Sequence, residues 1–145
     1  MKVKHILSVA LLLWMPTLAA AEITVERAWL RLPPPAADSA GAYLVLNNDG
    51  DADVRISSVE TDVAAKAEFH SIIFLEGTVL KQKMGSVLVP AQGRLKLSPG
   101  GTHLLLQGLN RELNAGDTIL LKLNTSDGKS ITAQATVRGK RKTQH

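Results

Sequence analysis

The side chains of this sequence that offer the most chemistry beyond its N-terminal leader are His70, His103 and His145, with the single methionine Met84. Imidazole nitrogen suits copper, zinc, iron and nickel, and thioether sulfur selects Cu(I). A lone histidine on a strand is more often packed or solvated than a ligand, so composition alone does not establish a metal. His145 ends the chain. A terminal histidine is ordinarily solvated, although a flexible tail lets it swing in as a third nitrogen donor.

Other chemistries lack their parts. There is no cysteine, hence no thiol nucleophile, no disulfide and no thioether-linked lipid. Ser71 and Ser98 have no base and orienting partner in any motif of nucleophilic catalysis. No glycine-rich loop joins a strand to a helix to cradle phosphate. Asp49, Asp51 and Asp53 alternate as oxygen ligands of calcium do, but the rest of a calcium loop is missing. An Asn-Asp-Gly turn with exposed acids accounts for them. With no activated nucleophile and no acid/base pair, the expectation is a protein that is not an enzyme.

The elements that must position these residues follow period two almost throughout. Alternation predicts strands over 23–31, 41–47, 54–61, 67–75, 78–84, 94–97, 103–107, 118–124 and 130–137. Glu76-Gly77 and the "TSDG" at 125–128 read as hairpin turns. Residues 63–66 and 110–114 have room for a helical turn. "RLPPPAADSAG" at 31–41 must interrupt the sheet, because proline fixes φ and removes a ladder donor. Short strands at regular spacing, separated by Gly, Asp and Asn, predict one all-β domain, a sandwich or barrel. Alternation also puts His103 and residue 105 on one face. It turns Met84 away from residue 81, unless a bulge near Gly85 intervenes.

Lys2 and Lys4, the apolar run 6–14 and Ala19-Ala20-Ala21 have the layout of a secretory signal. The run is too short to span a bilayer comfortably. The expectation is cleavage after residue 21 and a single exported domain over 22–145 without a membrane-spanning segment, the periplasm being the destination in a Gram-negative cell. The positive excess sits in the tail, at Arg138, Lys140, Arg141 and Lys142. Such a tail is most simply solvated, and it can touch anionic lipid or an acidic partner. Nucleic acid is not expected, since aromatic residues make up only 3% of the chain and base stacking needs them.

Residues 69–109 resemble the periplasmic copper chaperones of the PCuAC type, whose pattern is His-x10-Met-x21-His-x-Met. "EFHSIIFLEGTVLK" supplies His70 and counts on to Lys81, and "VPAQGRLKLSPGGTH" counts on to His103. "AWLRLPPPAADSAGAYLVLNN" is similar to the family's opening strands and "GLNRELNAGDTILLKLNTSDG" to its closing hairpin. The resemblance implies a cupredoxin-like or immunoglobulin-like β-sandwich. It implies a His/Met copper site and delivery of copper to the CuA centre of cytochrome c oxidase, in subunit II, or to another copper-accepting or copper-donating protein. The departures are chemical. The family's methionine positions hold Lys81 and Leu105. A cation at 81 opposes a metal ion, and leucine has no lone pair. The expected metal residues are therefore His70 and His103, with Met84 as the one available thioether. Two imidazoles hold Cu(I) in a near-linear site, or Cu(II) with water or another donor. The alternative is a metal-free paralogue that serves as a binding or adaptor module of the cell envelope.

Overall fold

The structure is a computed structural model, and it describes residues 13–15 and 22–139. The expected signal, at 1–21, lies almost wholly outside the described residues, as do the basic tail from residue 140 and His145. Ten strands follow one another: β1 (Ile23–Arg31), β2 (Ser39–Asn48), β3 (Val54–Thr61), β4 (Ala64–Leu75), β5 (Thr78–Met84), β6 (Val87–Val89), β7 (Gly93–Leu97), β8 (His103–Leu109), β9 (Thr118–Thr125) and β10 (Ser130–Arg138). There is no helix among the described residues, and so none long and apolar enough to cross a membrane.

The strands form one all-β sheet in the order β5-β4-β8-β2-β1-β10-β9-β3-β6. A further β3–β4 pairing, Val59 opposite Ala67, closes it into a barrel-like ring. β7 pairs with β2 off that ring. Alternation fills the interior. On β9, Ile119, Leu121 and Leu123 are fully buried while the residues between them face out. Leu30, Leu44, Leu46, Ile56, Leu104 and Leu106 complete the centre of the core. Full burial of each such side chain contributes about 1.5–3 kcal/mol.

Two local expectations are corrected. Residues 63–66 form no helical turn. Ala64 already pairs with Leu109 and Lys66 with Gln107, so β4 begins at Ala64 and the ladder to β8 overrides the helix propensity of Ala and Lys. Residues 110–114 are also irregular. Asn110 is held by its N–H to the Val63 carbonyl (3.0 Å), and Asn114 N–H donates to the Asp117 carboxylate (2.9 Å). The aspartates at 49–53 serve the turn. Asp53 accepts from Ala91 N–H (2.9 Å), and buried Asn48 bonds the carbonyls of Ala52 and Val89. At the β4–β5 turn, Glu76 (φ 47°) and Gly77 (φ 80°) both adopt positive φ, the geometry that matches the twist of a two-residue hairpin.

Candidate metal centre

His70 and His103 stand directly opposite each other, on neighbouring antiparallel strands β4 and β8. Their ring centroids are 6.3 Å apart and their planes 30° from parallel. Each ring is oriented by its own partner. The turn before β8, where Ser98 N–H bonds the Thr102 carbonyl (2.9 Å), brings the Gly101 carbonyl to His103 Nδ1–H, which donates to it at 2.9 Å. That bond leaves Nε2 of His103 with the lone pair. His70 donates from Nε2 to Glu68 Oε2 at 3.2 Å, which leaves its Nδ1 free. An imidazole that gives its other N–H to a carbonyl or carboxylate is oriented as metal-binding histidines are. In length, the centroid separation is close to the in-line span of two imidazoles on one ion. Two bonds of about 2 Å, plus about 1 Å from each nitrogen to its ring centre, span about 6 Å.

Glu68 is the residue that alternation could have disclosed, since it lies two positions before His70 and so on the same face. Its other oxygen accepts from Lys83 Nζ at 2.7 Å. The Lys83 hydrogen bond foremost, and then that of His70, holds the Glu68 carboxyl below the usual carboxylate range. Among the described residues, no three His, Asp or Glu side chains converge to hold one ion. The donor set is thus two imidazoles, with a carboxylate behind one of them.

The other motif positions take the same face. Leu105 stands opposite Glu68 on β4 and Gly41 on β2, and Lys81 stands opposite Ile72. Met84 does not join them. It pairs with Phe69, which is almost fully buried, and it packs against the core. The β4–β5 register runs without a bulge from Met84 to Thr78, so nothing re-aims the thioether toward the histidines. The structure therefore does not bring Met84, the thioether expected as a ligand, to the face of His70 and His103.

Beyond His103 the face turns aromatic. The Tyr43 ring lies 6.3 Å from that of His103, and Trp29 stacks on Tyr43 at 4.5 Å. Gly41 permits this, because a Cβ there would meet Tyr43 Oη at 2.6 Å. No local signal marks Tyr43 or Trp29. They reach the site only through the pairing of β2 with β8 and of β1 with β2.

Residues 23–137 match the family described as "Putative lipoprotein LpqE-like". The chain belongs to the LpqE-like family. A curated relative of this LpqE-like chain, "Putative lipoprotein Lxx21020" of Leifsonia xyli subsp. xyli, is 28% identical over 116 residues, 79% of this chain and 69% of its own length. Among solved structures, the copper-bound PCuAC domain from PmoF2 superposes with a TM-score of 0.69 at 22% identity, over 83% of this chain and 96% of that domain. The copper(I) form of DR1885 from Deinococcus radiodurans superposes with a TM-score of 0.65 at 29% identity, over 83% of this chain and 81% of that one. The PCuAC-type resemblance read from the sequence therefore holds, and the LpqE-like chain is a divergent member of that fold.

Proposed function

We propose that this protein is an exported, non-enzymatic copper carrier that holds one copper ion between His70 and His103. The observation that carries the reading is the pair of opposed imidazoles, each with one nitrogen tied back and one left free. The copper bound by the PmoF2 domain and by DR1885 supports the choice of metal, and the lipoprotein character ascribed to the family and to the Leifsonia relative supports export. The periplasm is the compartment that goes with the signal-like leader. Its partners are copper-accepting or copper-donating proteins, cytochrome c oxidase subunit II among the acceptors. A cupredoxin-like sandwich is the finer description of the barrel that goes with this reading.

Without thioethers the preference for Cu(I) weakens, since Cu(II) favours nitrogen and oxygen donors. The test is a copper titration under reducing and oxidising conditions, with His70→Ala/His103→Ala as the comparison. Binding that the double substitution abolishes sustains the carrier. Binding that is absent, or indifferent to both histidines, leaves the metal-free adaptor, which the replacement of both motif methionines by Lys81 and Leu105 would then explain.

A further inference from the structure

The face that bears the histidines is cationic on both flanks. On the β5 side stand Lys81 and Lys83, opposite Ile72 and His70, and Lys66 lies on the same face of β4. On the β1–β10 side, Arg31 and Arg138 pair across the parallel ladder. Their guanidinium groups are held on that face by aromatic rings. Arg31 lies 5.7 Å from the centre of Tyr43, and Arg138 lies 5.4 Å from that of Trp29. Such stacking fixes an otherwise floppy cation and leaves its donors outward. Among the described residues, Lys81, Arg31 and Arg138 form no salt bridge, and the carboxylate nearest the histidines, Glu68, already serves Lys83 and His70. Apolar surface accompanies the charge. Phe74 and Val79 face each other on the same side of the β4–β5 hairpin, and they are 72% and 54% exposed.

We infer that this face is the docking surface for an acidic protein, one whose carboxylates meet Lys81 on one flank and Arg31 and Arg138 on the other, over the two imidazoles. Along the curved sheet Lys81 on β5 lies four strand spacings from Arg31 on β1 and five from Arg138 on β10, roughly 19 and 24 Å. A second copy of this chain does not fit, since it would bring the same cations together, and lysines on an edge strand such as β5 oppose strand-to-strand pairing. A lipid surface would meet the cations but has no use for two half-buried, oriented imidazoles between them. The inference rests on the proposed copper carriage for the preference over a lipid surface and for one further consequence. A bound copper ion adds positive charge to the centre of the face, so the loaded protein binds the acidic partner more tightly than the empty one, and the difference shrinks with salt.

The test uses the copper-free protein, so that its outcome is independent of whether copper binds. Poly-L-glutamate is titrated at low salt and the amide NMR shifts are mapped. Vesicles of phosphatidylglycerol in phosphatidylcholine are titrated in parallel. The expected result is that shifts centre on β4, β5, β8 and the Trp29–Tyr43 pair. Lys81→Gln/Arg31→Gln/Arg138→Gln should weaken poly-L-glutamate binding at least about tenfold. Arg55→Gln/Lys122→Gln/Lys129→Gln removes equal charge elsewhere and should weaken it less than about threefold. Lys81→Gln alone, at an exposed edge position, should weaken it about threefold without touching the aromatic stack. Equal losses in the two triple variants, shifts spread over the whole surface, or tight binding to vesicles without binding to poly-L-glutamate would overturn the inference.

Discussion

Adjacent residues of β8 should respond very differently to truncation, and the difference tests which face the histidines occupy. Leu104 is 0% exposed, opposite Phe69 on β4 and Ala42 on β2. Its neighbour Leu105 is only partly buried, opposite Glu68 and Gly41, on the face of His103. Leu104→Ala removes side-chain atoms from a closed core that cannot fully collapse, at a cost of about 3 kcal/mol, within the general range of roughly 2–5 kcal/mol for such truncations. Leu105→Ala loses contact on one side only and should cost about 1 kcal/mol or less. Urea unfolding measures both. With an m-value of about 2 kcal/mol/M, Leu104→Ala lowers the midpoint by roughly 1.5 M and Leu105→Ala by roughly 0.5 M, with m unchanged. Equal losses, or a larger loss at Leu105, would refute the parity of β8 and with it the outward placement of His103.

Three other outcomes are expected. Leu105→Met sets a thioether beside His103 at near-constant volume; stability should change by less than about 1.5 kcal/mol, while competition against a Cu(I) chelator shows stronger Cu(I) retention. Glu68→Ala removes the acceptor that orients His70, and copper affinity should fall about 10- to 100-fold with the far-UV circular dichroism unchanged; an unaltered affinity would mean that Glu68 only balances Lys83. Asp117 is held below the usual carboxylate range first by the Asn114 N–H and then by Arg111, so its contribution to stability is present above its ordinary value of 3.8 and is lost as pH falls through the lowered one. Asp117→Asn should therefore be less stable than wild type at neutral pH, and the gap in urea midpoint should close under acid; a gap independent of pH would show that charge plays no part.

Alternation made most of the sheet legible. Strands such as β9, with Ile119, Leu121 and Leu123 inward, bury one face and so show a clean period of two. β6 escaped because three residues are too few to show a period, although Val87 and Val89 are both buried. The start of β4 escaped because "AAKA" has helical preference, and only pairing with distant β8 reverses it. The site divides in the same way. Glu68 and His70 share a face by local spacing, and the parity that turned Met84 from residue 81 also sends it to the core. That His70 meets His103 is a matter of strand pairing across more than thirty residues, and the family pattern rather than local periodicity pointed to it. Trp29 and Tyr43 lie beyond any such reach, since they come to His103 through the order of β1, β2 and β8 in the sheet.

The most direct test of the central claim is X-ray absorption at the copper edge of the loaded protein. Two imidazoles bridging one ion predict a first shell of nitrogen or oxygen alone at about 2 Å, with imidazole ring scattering beyond it. A sulfur scatterer near 2.3 Å would instead mean that Met84 leaves its place against Phe69 to bind the metal, and the two-imidazole centre described here would be wrong.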